Sequence, residues 1–148
     1  MELWDRLDAA AERLDVLRHP FYVRWSEGTL SRAEIGLYAG QYAHAVRALA
    51  AAARSVAGSP EAAAHAAEEE SHIELWDEFA RAVGAGPATA YFDVHAERDV
   101  EHARAGRTAI SEVRSDASDD GALVAEAERV LAANWRLLDG VERASSGH

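Results

Sequence analysis

The sequence predicts an all-α fold, an up-down bundle of about five helices. Forty-nine per cent of the 148 residues are hydrophobic, a large share of them alanine, and only three are proline. Alanine has the highest helix propensity, and the β-branched residues that favour strands are sparse. The length suits a single helical domain, expected over residues 1–144, with a disordered tail at residues 145–148.

The first predicted helix covers residues 2–18, where leucines follow the helical period and charged side chains occupy the opposite face. Pro20 ends or bends this helix, because the residue before a proline disfavours the α region. A dense aromatic patch follows at residues 21–25. We expect it to pack against the bundle.

Two helices with clear start signals come next. Ser31 and Glu34 form a capping box at the start of a helix that ends at Gly58. A serine, a proline and a glutamate at residues 59–61 then supply an N-cap, a first helical residue and an acid in the first turn. The helix that they open runs to about Val83.

The last two predicted helices cover residues 88–114 and 122–143, joined by a polar loop. The core stripe expected on the last helix consists of Leu123, Val130, Leu137 and Val141. On the second helix, the expected apolar stripe consists of Ile35, Tyr38, Tyr42, Ala45 and Leu49.

Charge and composition exclude several classes of function. A formal net charge of −11 argues against nucleic acid or an anionic membrane surface as a partner, since both are polyanions. The absence of cysteine excludes disulfides, thiolate metal sites and cysteine nucleophiles. The first residues contain no apolar signal-peptide region, and the alanine-rich run at 48–53 is too short to span a bilayer. A cytoplasmic protein is expected.

A pattern of two histidines and one acid occurs twice in helical sequence. The two copies are His65, Glu69, His72 and His95, Asp99, His102. Steps of four and three residues place the side chains of each copy on one helix face. Two such helices packed face to face direct four imidazoles and two carboxylates to one point, which is typical of a two-metal site in a helical bundle.

The same histidines also admit simpler interpretations, as hydrogen-bonded core residues or as partners in His–acid pairs that bridge two helices. Against these, both copies interrupt stripes that are otherwise apolar, and the stripe of the first copy is expected to continue beyond His72 through Trp76, Phe79 and Val83. A buried polar group must be paired or metal-bound. Imidazole and carboxylate ligands suit iron, manganese or zinc. Gln41 and His44, on the second helix, are possible additional ligands or supports of the ligands.

The chain resembles the TenA/PqqC-like proteins, which have the heme-oxygenase-like helical fold. The likeness is carried by four segments: His19-Pro20-Phe21, Gly28-Thr29-Leu30-Ser31, Tyr38-x2-Gln41-Tyr42 and Glu70-x-His72-x3-Trp76-x2-Phe79. Within this superfamily, His95, Asp99 and His102 match the His-x3-Asp-x2-His motif of the heme-oxygenase-like diiron oxidases and oxygenases. His72 fits a ligand histidine of their earlier core helix, but His65 stands where that family has a glutamate, and this chain is shorter than most members.

The resemblance implies a non-heme, di-iron oxidase or oxygenase that activates O2 on a small-molecule substrate and forms a homodimer. The implied metal ligands are His65, Glu69, His72, His95, Asp99 and His102. The implied pocket residues are Tyr38, Gln41, Tyr42, His44, Trp76 and Phe92. Three alternatives stay open: a metal-free TenA/PqqC-like protein that binds a small molecule, a non-catalytic helical interaction protein, and a heme-binding protein.

Overall fold

The structure is a computed structural model, and it describes residues 2–83, 107–108, 110–111 and 120–146. The all-α prediction is confirmed, since every regular element among these residues is helical. The helices are α1 (Leu3–Arg13), a 3₁₀ turn (Val16–Arg18), α2 (Pro20–Ser26), α3 (Arg32–Ser55), α4 (Pro60–Ala82) and α5 (Asp120–Ser146). Of the predicted fourth helix, at 88–114, residues 107–108 and 110–111 are helical, and the others lie outside the described residues.

The predicted start signals of α3 and α4 are confirmed. Ser31 Oγ accepts a hydrogen bond from the Glu34 N–H at 3.3 Å, and Glu34 Oε2 accepts one from the Ser31 N–H at 2.8 Å. At the start of α4, Ser59 Oγ accepts from the Ala62 N–H at 3.1 Å, and Pro60 is the first helical residue. These bonds satisfy backbone donors that have no partner within their own helix.

The prediction of one helix over residues 2–18 is wrong at its C-terminal end. The helix α1 ends at Arg13, and the Asp15 side chain accepts a hydrogen bond from the Leu17 N–H at 3.0 Å. Such a local bond competes with helix continuation and starts the 3₁₀ turn. Pro20 then begins α2, because its fixed φ and missing N–H suit a first helical position. The aromatic patch is therefore itself a helix.

The buried face of α5 differs from the predicted stripe by about one residue. Val130, an expected core residue, is 53% exposed, whereas Val124 and Leu138 are buried beside the correctly predicted Val141. A shift of one position rotates a helix face by about 100°. The helix also extends to Ser146, so that Ser145, assigned to the tail from sequence, is helical.

The chain divides into two compact units, one made of Met1–Leu30 with Asp99–His148 and the other of Ser31–Arg98. In the described part of the first unit, α1 packs along α5, and the Arg24 and Glu142 side chains join α2 to α5 at 3.0 Å. In the second unit, α3 and α4 form a helical hairpin with an extensive shared interface. None of the described helices is both long enough and apolar enough to cross a membrane.

Candidate metal centre on α4

The buried face of α4 is apolar except for one histidine and its neighbouring acid. Ala66, His72, Trp76 and Phe79 are all buried, and the last three follow one another at helical steps of four and three residues. The prediction that the stripe continues beyond His72 through Trp76 and Phe79 is confirmed. His72 is only 1% exposed, which makes it one of the most deeply buried polar residues among those that the structure describes.

The three candidate metal ligands of the α4 motif differ in how far their side chains are buried. The side chains of His72, Glu69 and His65 are 2%, 15% and 44% exposed, respectively. Glu69 Oε2 lies 3.4 Å from His72 Nδ1, within hydrogen-bonding distance. Glu69 Oε1 lies 3.9 Å from His65 Nε2, which is too far for a hydrogen bond. The structure thus pairs His72 with Glu69 and leaves His65 at the edge of the buried face, beside Ala66.

Aromatic side chains of α3 and α4 gather next to this pair. The Trp76 ring lies 5.8 Å from that of Tyr38, 5.0 Å from that of Tyr42 and 5.1 Å from that of Phe79, and the two tyrosine rings stack at 5.3 Å. Trp76 Nε1–H donates to the Ala39 carbonyl at 2.8 Å. Three of the expected pocket residues, Tyr38, Tyr42 and Trp76, therefore lie together, one helical turn along α4 from His72.

The remaining expected site residues divide into two groups. Gln41 and His44 are exposed on α3. Phe92, His95, Asp99 and His102 lie outside the described residues. Within the described ranges, no three His, Asp or Glu side chains come close enough together to hold a metal ion. The α4 motif alone therefore does not form a complete metal site.

A surface groove of about 450 Å³ lies in the other unit, between α1 and α5, and contains none of the expected site residues. The Arg107 guanidinium lies 4.9 Å from the centre of the Trp4 ring in this groove and pairs with Asp8.

On the α5 surface, the hydrogen bond from Arg129 lowers the pKa of the Glu126 carboxyl. Both side chains are mostly exposed, and neither belongs to the candidate site on α4.

The role of His19 as a helix cap and as a link to α5 was not predicted from the sequence, where His19 is only part of the family resemblance. Its ring is buried, Nδ1 accepts a hydrogen bond from the Phe21 N–H at 3.1 Å, and Nε2 lies 3.2 Å from Asp139 Oδ1. The Trp135 ring packs edge-on against the imidazole at 4.7 Å. A polar residue directly before a proline at a helix start is the sequence signal of an N-cap, and it identifies this residue in retrospect.

These features define an all-α protein with a buried histidine–glutamate pair on an apolar helix face. No protein-family model matches the chain. It is similar to the 4-aminobenzoate synthase of Chlamydia muridarum, with 33% identity over 95 residues that cover 57% of this chain and 40% of the relative. It is also similar to the 4-aminobenzoate synthase of Chlamydia trachomatis serovar D, with 32% identity over 98 residues, 59% of this chain and 42% of the relative.

The chain spans about two fifths of the length of the curated relatives that it matches, 40% and 42%. No solved structure matches it.

Proposed function

We propose that this chain is a non-heme iron oxidase or oxygenase of the heme-oxygenase-like type, with two iron ions, that acts with O2 on a small-molecule substrate. The proposal is carried by the burial of His72. Its side chain is almost fully buried on an apolar helix face and lies 3.4 Å from the Glu69 carboxylate. An imidazole and a carboxylate cost free energy to bury unless hydrogen bonds or a metal ion compensate. The presence of this pair on a buried apolar face supports a functional role.

The chemistry of these donors fits a divalent metal of the iron, manganese or zinc group. Neutral imidazole and carboxylate are common ligands of such ions, and a metal-bound histidine commonly donates its other N–H to a carboxylate. The 3.4 Å separation between His72 Nδ1 and Glu69 Oε2 is compatible with such a contact, which supports the proposal. In the proposed site, His72 holds iron together with His95, Asp99 and His102, with His65 as a further candidate ligand.

Bound iron would supply the activation of O2, and the protein would supply orientation and a dry environment. The buried rings of Tyr38, Trp76 and Phe79 exclude water from the side of α4 on which His72 lies. Exclusion of water strengthens electrostatic interactions within a site and limits side reactions. The residues that surround the substrate in this proposal include Tyr42, which contacts both Tyr38 and Trp76.

The names of the two relatives suggest the product to test first. Both are called 4-aminobenzoate synthase. The compound 4-aminobenzoate is a small aromatic acid with an amino group. We propose 4-aminobenzoate, or a related small aromatic compound, as the product class. This proposal rests on the partial similarity described above, since fold alone does not determine function.

The proposal is tested by measuring metal and product together. The chain, expressed without a polyhistidine tag in iron-supplemented medium, should contain about two iron ions per chain, as expected for a two-metal helical site. His72→Ala should lose iron and stay helical, whereas the control Glu74→Ala, at an exposed position of the same helix, should keep it. A bacterial strain that cannot make 4-aminobenzoate should grow when it carries the wild-type chain and not the His72→Ala variant.

Equal metal content in the wild-type and His72→Ala proteins would overturn the metal assignment. A wild-type protein that contains no iron, manganese or zinc would instead favour the metal-free, small-molecule-binding alternative. If iron is bound but the strain does not grow, the product proposal fails and the metal proposal stands.

A further inference from the structure

Glu69 and His72 are three residues apart on α4, and their side chains meet on the helix surface. The Glu69 carboxylate reaches the Nδ1 side of the His72 ring, at 3.4 Å. The same carboxylate does not form a hydrogen bond with His65, since that separation is 3.9 Å. Of the two histidines on the motif, the carboxylate therefore engages the buried one.

This contact favours protonation of one particular nitrogen of the His72 ring. An ionised carboxylate only accepts hydrogen bonds, so a neutral His72 bonded to Glu69 carries its proton on Nδ1. The Nε2 lone pair is then the one available for coordination. Nδ1 and Nε2 lie on different edges of the imidazole ring. A carboxylate that accepts a hydrogen bond from Nδ1–H therefore lies away from the position of a metal ion bound at Nε2.

We infer that Glu69 is a positioning residue of the α4 site, which sets the tautomer and orientation of His72, and is not itself a metal ligand. The inference rests on the proposed function for its metal, although the Glu69–His72 contact can be tested without one. It changes the sequence expectation, which counts Glu69 among the six metal ligands. Partial burial, with 15% of the Glu69 side chain exposed, protects this hydrogen bond from competition by water.

The glutamate run at residues 68–70 provides a matched control. Glu70 is adjacent to Glu69 in sequence, but its side chain is 59% exposed and bonds Arg54 at 2.6 Å. Glu70→Gln therefore changes the net charge of α4 by the same amount as Glu69→Gln, and at nearly the same place. It leaves the contact with His72 intact.

The first measurement is the affinity of the full chain for Fe(II) and for Co(II), whose absorbance reports coordination geometry. The amide oxygen of glutamine still accepts a hydrogen bond from Nδ1–H, so Glu69→Gln should weaken binding only slightly. Glu69→Ala should weaken it by about 10- to 100-fold, the usual effect of losing such a support, with an unchanged Co(II) spectrum at saturation. Glu70→Gln should match the wild type.

The second measurement is the tautomer of His72 in the metal-free protein, read from long-range ¹H–¹⁵N NMR couplings in alkaline buffer. The His72 signals are assigned by their absence in His72→Ala. Wild-type protein should show protonation at Nδ1, and Glu69→Ala should shift the population toward protonation at Nε2.

Each adverse outcome overturns a different statement. If Glu69→Gln and Glu69→Ala lose metal equally and change the Co(II) spectrum, Glu69 is a ligand and the inference is wrong. If His72 is protonated at Nε2 in the wild type, the inference is also wrong. If the wild-type protein binds no metal but shows the Nδ1 tautomer, the proposed function fails, while the positioning of His72 by Glu69 stands.

Discussion

His19 joins α2 to α5 through its two ring nitrogens, with Nδ1 bonded to the Phe21 N–H and Nε2 placed 3.2 Å from Asp139 Oδ1. Because Nδ1 accepts, the neutral ring carries its proton on Nε2 and donates it to the carboxylate. One buried side chain thus caps a helix and connects it to another. In the first unit, this is a link between segments 120 residues apart in the sequence.

Replacement of His19 should separate these two roles. His19→Asn should keep the helix cap and lose the bond to Asp139, whereas His19→Ala should lose both and leave a cavity. We expect His19→Ala to lower the free energy of unfolding by about 2–3 kcal/mol, and His19→Asn by about 1 kcal/mol. Urea denaturation measures both, with Glu12→Gln at an exposed position as the control. Equal losses in the two His19 variants would contradict the capping role.

Trp76 should stabilise the α3–α4 hairpin through its N–H as well as through its volume. Its side chain is fully buried, and Nε1 donates to the Ala39 carbonyl across the two helices. Trp76→Phe should lower the free energy of unfolding by about 1–3 kcal/mol. Phe79→Leu, in the same aromatic cluster, removes a ring without removing a hydrogen bond. A smaller loss for Trp76→Phe than for Phe79→Leu would contradict the importance of this bond.

The capping box of α3 should contribute measurably although it lies at the surface. Ser31→Ala removes the oxygen that accepts from the Glu34 N–H, and it should lower the free energy of unfolding by about 1 kcal/mol. Ser31→Asp should restore most of that loss, because aspartate is an equally good N-cap. Thermal or urea denaturation measures the series, and an unchanged stability in Ser31→Ala would show that the cap is not used in solution.

The ion pair between Arg47 and Asp77 joins α3 to α4 at the surface and should contribute little. Arg47 Nη2 lies 2.8 Å from Asp77 Oδ1, but both side chains are nearly half exposed. A double-mutant cycle with Arg47→Ala and Asp77→Ala should give a coupling of about 0.2–1 kcal/mol that falls as salt is added. A larger coupling that resists salt would mean that the pair is shielded from solvent.

Metal should stabilise the folded chain if the proposed site is correct. A ligand that binds only the folded state adds about 2.7 kcal/mol at a free concentration of 100 times its Kd. Added Fe(II) under anaerobic conditions should therefore raise the Tm of the wild type and of the control Glu74→Ala, and a chelator should reverse the increase. The His72→Ala variant should not respond. A similar increase in His72→Ala would place the metal elsewhere.

The sequence alone determined the helical class and the starts of α3 and α4. These features depend on local chemistry: alanine content, the hydroxyl of Ser31 and the proline after Ser59 act within one helical turn. The spacing of the α4 stripe also predicted the burial of His72, Trp76 and Phe79. Such periodicity is a property of the helix itself, and so it is readable without the fold.

Only the tertiary structure decided which face of each helix is buried and which donors meet. The stripe on α5 turned out to include Leu138 and to exclude Val130, since a neighbouring helix and not periodicity selects the buried face. Glu69 lies closer to the buried His72, at 3.4 Å, than to the more exposed His65, at 3.9 Å, and the spacing of the motif does not predict this difference. The contact of His19 with Asp139 joins residues far apart in the chain, where no local signal exists.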